Sequence, residues 1–538
     1  MTRWDRVSPR ARLPSGRWPV ITARLAPCFR RGKPPAGCAW QLLQTAVLEE
    51  AAGAAEGELN LLARAVTLAA QYGQRTAAFQ LVEQHEERSA ARGPLSRLQR
   101  HGYRALRLAV ELACKNYPAA ERWNLRIDWR AIASLAWAVN LQLLLAVLRG
   151  RTARINDLLR SAGSGSRGPL GPFDRGNRLR FLGESALAAG RPARARAFFE
   201  AAVRAYAKDP AFDARIRLAL AIGWMGTAHV SELNLDAAVR CFEKSMRLFK
   251  DLGHEYLYQA YGLELAQAYR LQLRFREAQR LHSQVIAYAA AQKDRLLGYH
   301  QALRSQALLA AAFCAVDAND RPRAFRLLRQ MRATFRTQRS ARREAGYQLA
   351  RAAAFMLARD PRALLKARRA LHRSETLFRR IGDGFQFGVA QVHLQRARLE
   401  LLLREPEAAL AEAARCESAA QHDRRRLSQI QNDLVLLRSR VLLSERCSNH
   451  GRLYEEVLRS LGLARSPATL FQVYANLYHY TWRLQDDLEL TDSHLKQAHA
   501  MSQRLPPATF RRLCQEHLAA PVTRRMSRLF GGKIAVQN

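Results

Sequence analysis

No long stretch of this sequence alternates apolar and polar residues with period two, and aromatic residues make up only 8% of the 538. Glycine and proline are sparse, at 29 and 19, while Ala and Leu dominate. Without the strand pattern, the chain reads as all-α. At this length one compact core would be unusual. A row of stacked units escapes that limit, because its core grows in one dimension.

Other absences narrow the function. The eight cysteines stand at 28, 38, 114, 241, 314, 416, 447 and 514, and none forms a CxxC pair. No disulfide framework or zinc site is expected, which fits a reducing, cytoplasmic setting. Cys241 and Cys314 lie in apolar helical surroundings and are expected as small core residues. The longest apolar run, Ser134–Leu148, falls short of the roughly 20 residues a membrane span requires, and it contains Asn140 and Gln142. It is expected as a buried helix, and no membrane span is predicted.

Catalytic signatures are missing as well. Gln84-His85-Glu86-Glu87 and His254-Glu255 are fragments of HExxH, but neither has the second His one helical turn later. The Gly163–Gly168 stretch approaches a nucleophile elbow, with no strand before it. Neither this Gly-rich loop nor Gly531–Lys533 completes a phosphate-binding loop. The adjacent pair Asp486-Asp487 points in two directions on a helix and suits a turn. We therefore expect no enzyme, no cofactor and no metal.

Acidic residues are scarce too. Asp and Glu number 46 against 87 Lys and Arg, nearly all Arg, for a net charge of +41 and a pI near 11.1. Two readings remain open. The excess can be an electrostatic surface for nucleic acid or an acidic partner, or the mark of a GC-rich genome that writes Arg wherever a solvated cation is tolerated.

What the chain does have is a repeat. In FLGESALAAGRPARARAFFEAA, residues 181–202, Gly183, Gly190, Ala195, Phe199 and Ala202 follow Gly-x6-Gly-x4-Ala-x3-Phe-x2-Ala. Small residues stand where two helices must approach closely, and Phe199 fills the gap between them. Gly226, Ala238 and Phe242 repeat the pattern, as do Ala266, Tyr269 and Ala278. Further copies place the alanine at 324, 367 and 409, so anchors from Ala195 to Ala409 lie 43, 40, 46, 43 and 42 residues apart. Upstream, Ala78, Ala120 and Ile155 can hold this place, and Thr491 is the last candidate. Breaks at Asn319–Pro322, Arg359–Pro361 and Arg404–Pro406 fall at the expected inter-helix turn, where Pro suits the start of the next helix.

This pattern resembles the tetratricopeptide (TPR) repeat, whose standard unit is about 34 residues. The longer spacing is most similar to the branch found in kinesin light chains and in sensor regions of large bacterial transcriptional activators. The resemblance spans 45–505 and is carried by 175–290. It implies an all-α solenoid, a superhelix of about eight to eleven stacked helical hairpins. It also implies a concave groove lined by the first helix of each unit, where Asn177, Arg180, Gln267, Arg270 and Arg398 would meet a partner. In family members that clamp peptide carboxylates, Asn and basic residues do the work. Gly223 and Thr227 in the adjacent unit depart from that set.

The organisation then reads as follows. Residues 1–40 are a basic, Pro-rich N-terminus, either disordered, a targeting segment or an upstream start-codon artefact. Residues 41–160 form an N-terminal helical repeat block. Residues 161–178 are a Gly/Ser/Pro linker, 179–505 the main array, and 506–538 a basic C-terminal capping helix and tail.

Charge is least uniform between 321 and 380, where 18 Arg or Lys face 3 acids. Arg329, Arg332 and Arg336 share a helix face with their neighbours, and Arg342 and Arg343 follow in an expected loop. Stacking would align these cations as a polyanion-binding stripe. Phe325, Phe335, Tyr347 and Phe355 lie among them, at a spacing that suits base stacking or a core equally well. The function expected overall is a non-catalytic scaffold or adaptor that captures a protein or peptide. The alternative is a regulatory module of a transcription- or RNA-linked system that contacts nucleic acid through the stripe.

Overall fold

A computed structural model describes residues 55–514, apart from 72–74, 114–116, 149–157, 159–170, 293–298, 336–340, 382–385, 423–426, 486–487, 506–508 and 511–512. The basic N-terminus 1–40, Ile155, Arg336, the Asp486-Asp487 pair, Gly531–Lys533 and nearly all of the C-terminal tail lie outside these residues.

All regular structure among the described residues is helical. The first helices are α1 (Ala55–Gln71), α2 (Arg75–Ala91), α3 (Arg97–Ala113), α4 (Tyr117–Asn124) and α5 (Ala136–Leu148). Next come α6 (Pro172–Ala188), α7 (Pro192–Tyr206), α8 (Phe212–Ser231), α9 (Leu235–Asp251), α10 (Glu255–Leu271) and α11 (Phe275–Ala291). They are followed by α12 (Tyr299–Asp317), α13 (Arg321–Thr334), α14 (Ala341–Met356), α15 (Pro361–Ile381) and α16 (Gln386–Leu402). The last are α17 (Pro406–His422), α18 (Leu427–Val441), α19 (His450–Ser460), α20 (Pro467–Tyr480) and α21 (Leu488–Gln503).

The chain forms two compact units. The first comprises Met1–Gly226, Arg240–Gly262 and Tyr288–Leu303, and the second Thr227–Val239, Leu263–Ala287 and Arg304–Asn538. Within the first, α6 pairs with α7, and α1 packs on α2 and α3. Within the second, α14 pairs with α15, α16 with α17, and α20 with α21. There α14, α16, α18 and α20 also stack in succession. Helices that pack on the next and the next but one in sequence make an α-solenoid of stacked hairpins.

One backbone turn recurs along the chain, and at Gly253 it also ends the second helix of a pair. A residue in the left-handed region ends the first helix of a pair: Gly190 (φ 69), Leu233 (58), Leu273 (62), Asn319 (56), Arg359 (57) and Arg404 (63). After five of these six, the next N–H reaches back to the carbonyl five residues earlier, as in Arg191 to Ala186 at 2.8 Å and Asp320 to Ala315 at 2.8 Å. This closes the helix end that would otherwise leave carbonyls unpaired. Four residues further on, the N–H of Ala195, Ala238, Ala278, Ala324, Leu364 or Ala409 bonds the carbonyl that opens the second helix. The sequence register put Ala367 in this series. Leu364 occupies the place, because the turn rather than the alanine sets it. Ala367 lies one helical turn later and is also fully buried.

The close approach read from the glycines is real. A Cβ at Gly183 would stand 2.4 Å from the ring of Phe199, and one at Gly226 would stand 2.6 Å from the ring of Phe242. Both rings are fully buried. A side chain at either glycine would overpack the seam, typically at about 1–3 kcal/mol.

The apolar run becomes α5, which packs on α6. Its Asn140 donates to Asp174 Oδ1 at 3.2 Å. No helix among the described residues is long and apolar enough to cross a membrane. Of the expected linker, residues 161–170 lie outside the described residues. The remainder is already helix from Pro172, where proline sits in the first turn of α6. Cys314 is buried and Cys241 half-buried, and neither is in a disulfide. Ala78 and Ala120 are buried in α2 and α4, and Thr491 in α21.

Candidate functional site

The residues expected along a groove fall into two groups, neither of them freely solvated. In the first unit, Asn177 and Arg180 on α6 are buried. Asn177 Oδ1 accepts from the Tyr206 hydroxyl at 2.8 Å. Arg180 donates to Glu184 one turn along the same helix, and its guanidinium lies 4.1 Å over the Phe181 ring. Burial pushes the Tyr206 phenol up to about 12 and the Arg217 guanidinium down to about 10, the latter helped by the like charge of Arg180. These side chains form an internal polar knot between α6, α7 and α8. The sequence reading named Asn177 and Arg180 but missed Glu184, although the Arg180–Glu184 spacing of four was legible as a helical ion pair.

In the second unit, Gln267 is half-buried. Arg270 pairs with Asp317 at 3.5 Å, and Arg398 with Asp433 at 3.8 Å. Burial raises the Asp433 carboxyl, against the pull of Arg398 and, more distantly, of Arg270. Arg440, brought down to about 10 by burial and by Arg398, donates to Gln472 Oε1 at 3.1 Å. His282 is buried near Arg270 and Arg323. Burial, then those two charges, pushes it down to about 3. The fold thus gathers Arg270 and Arg398 about Asp433 from helices far apart in sequence. That convergence has no local signal. No group of three or more His, Cys, Asp or Glu among the described residues is placed to hold a metal ion.

The cationic stretch behaves differently. Asp320 caps α13 by accepting from the Arg323 N–H at 3.1 Å, and Asp360 accepts from Ala363 N–H at 2.8 Å as α15 begins. Each helix then buries an apolar face: Ala324, Leu328 and Met331 on α13, and Ala363, Leu364, Ala367, Ala370, Leu371 and Phe378 on α15. That choice leaves their cations in solvent. Arg326, Arg329 and Arg332 on α13 are exposed, as are Arg362, Lys366, Arg369, Arg373 and Arg380 on α15. Arg342 and Arg343, expected in a loop, lie instead in the first turn of α14, because the helix already starts at Ala341; there Arg342 is exposed. Arg343 is half-buried, and burial holds it below its ordinary value. Both engage neighbours.

Five of the seven α15 cations, Arg362, Lys366, Arg369, Arg373 and Arg380, stand at i, i+4, i+7, i+11 and i+18, one straight stripe about 27 Å long at 1.5 Å per residue. Arg373 pairs with Glu344 at 2.5 Å, and beside the stripe Arg368 pairs with Glu400 at 3.1 Å. Arg362, Arg369 and Arg380 make no ion pair with a carboxylate of any described residue, nor do Arg326, Arg329 and Arg332. The aromatics are committed to one another. Phe325 and Phe355 lie 5.1 Å apart and Phe335 and Tyr347 5.5 Å. Arg321 covers Phe325 at 5.7 Å and Lys366 covers Phe355 at 5.9 Å, so one ring pair connects α13 to α15 through α14.

No family model matches the sequence, and no curated protein matches it. Among solved structures, the pentatricopeptide repeat protein PPR10 from maize aligns over 96% of this chain and 84% of its own, at 12% identity and a TM-score of 0.24. The structure of Naa15/Naa10 bound to HypK-THB aligns over 95% of this chain and 99% of that one, at 12% identity and a TM-score of 0.19. Alignments at this level run the length of the chain without superposing it.

Proposed function

We propose that the chain is a non-catalytic, cytoplasmic scaffold that holds an acidic protein or peptide partner on the solvent faces of α13 and α15. One observation carries the reading: six arginines there, Arg326, Arg329, Arg332, Arg362, Arg369 and Arg380, are exposed without a carboxylate partner. Like charges one turn apart on a helix repel and weaken it. A bound anion removes that repulsion, and the planar guanidinium forks match carboxylates in bidentate pairs. The groove residues are less available, since their charges are satisfied internally. The cytoplasmic setting rests on cysteines scattered along the sequence without a CxxC motif.

A nucleic-acid partner is the second reading, because phosphates complement the same cations. The aromatics that would stack on bases are instead paired with one another, which favours the protein partner.

Retention of the full chain on a sulfated polyanion resin tests the site. Changing Arg362, Arg369 and Arg380 to Glu should bring elution to clearly lower salt. Changing the exposed Arg204, Arg215 and Arg247 to Glu alters net charge equally and should shift elution less. Equal shifts in the two variants would mean that the net charge, not this face, does the binding.

A further inference from the structure

We infer that the partner segment is an acidic amphipathic α-helix lying lengthwise on α15, with one apolar side chain seated at Leu365. This inference rests on the reading of α13 and α15 as the docking face, and it adds the shape of the ligand.

The stripe on α15 keeps a period of 3.5 residues. Arg362, Lys366, Arg369 and Arg373 follow steps of four, three and four, Thr376 fills the next place, and Arg380 ends the row. A straight row of that period is the face one helix presents to another helix packed along it, and cations on that face select Glu or Asp on the partner. Leu365 is 50% exposed and lies three residues after Arg362 and four before Arg369. It offers an apolar contact to an amphipathic peptide, read as anchors at helical spacing. No residue of the row itself is aromatic, the exposed His372 lies beside it, and Phe355 on α14 faces Phe325 and Lys366. Charge complementarity, period and the single apolar contact agree on one ligand.

Three fluorescent probes at one ionic strength discriminate the outcomes with the full chain. The first is a synthetic helical peptide of the length of α15, with Glu at the matching i, i+4, i+7 and i+11 positions and Leu on the same face. The second is its scrambled isomer, of identical composition. The third is a single-stranded oligonucleotide of equal charge. The patterned peptide should bind about ten-fold more tightly than the scrambled one. Leu365→Ser, checked for an unchanged helical spectrum, should abolish most of that difference. Arg369→Gln should weaken the patterned peptide without unfolding an exposed position. Equal binding of the two peptides, indifference to Leu365→Ser, or tighter binding of the oligonucleotide would each overturn the inference while leaving a polyanion-binding face. If no probe binds and resin retention is also unchanged by the α15 charge reversals, the underlying reading fails with it.

Discussion

The ring of Phe199 lies against the bare backbone of Gly183, so closely that a Cβ there would stand 2.4 Å from its Cε1. The pair sets the distance between α6 and α7. Gly183→Ala should lower stability by about 1–3 kcal/mol, the usual range for overpacking a filled core. The buried ring has no free direction in which to yield. A urea denaturation midpoint unchanged from the parent would show that the seam has slack.

At Arg359 a side-chain-bearing residue sits at φ 57, exposed to solvent. The left-handed conformation costs such a residue roughly 1–2 kcal/mol, offset in part by glycine's greater freedom when unfolded. Arg359→Gly should therefore stabilise the chain modestly, by about 0.5–1 kcal/mol after subtracting the two effects. A fall in thermal midpoint would count against this turn geometry.

Glu184 is the carboxylate beside buried Arg180, and burial raises its carboxyl against the attraction of that guanidinium. Glu184→Gln removes the counter-charge while Arg217 remains close by. Breaking one side of a buried pair typically costs about 3–5 kcal/mol. The double change Arg180→Met, Glu184→Met should recover much of the loss. If the double variant is no better than the single, the two residues are not acting as a pair.

His282 gives a pH dependence with a definite sign. Its folded pKa is about 3, from burial first and then Arg270 and Arg323, against about 6.5 when unfolded. Below 6.5 the unfolded chain takes up a proton that the folded chain refuses. Stability from this group is therefore complete above about pH 6.5 and is lost as pH falls toward 3, by about 1.4 kcal/mol per unit. His254, also brought to about 3 by burial, adds in the same direction. His282→Leu should flatten the acid limb relative to the parent in denaturation series at several pH values. Parallel limbs would place His282 in contact with water.

Much of the architecture was legible because it is local. The Gly183–Phe199 seam, the proline-started helices and the helical character of the apolar run all follow from residues a few positions apart. The turns of Asn319 and Arg404 were found from Asp, Glu and Pro, which cap and open helices wherever they stand. The register slipped once, at Ala367, because an alanine is cheap in any buried helical position and does not mark a turn. The cationic face was half legible: Arg329 and Arg332 were named, but the straighter row on α15 entered only through the charge count over 321–380.

By itself, the sequence determined that this chain is an all-α stack of hairpins. The signals are short-range, and the same turn recurs at the end of six first helices. Only the tertiary structure decided which charges are spoken for. Arg270 and Arg398 look like surface cations in the sequence, yet packing brings Asp317 and Asp433 to them, while Arg362, Arg369 and Arg380 stay in water. Whether a cation is free depends on what helices distant in sequence bring beside it, and Coulomb attraction acts through space, not along the chain.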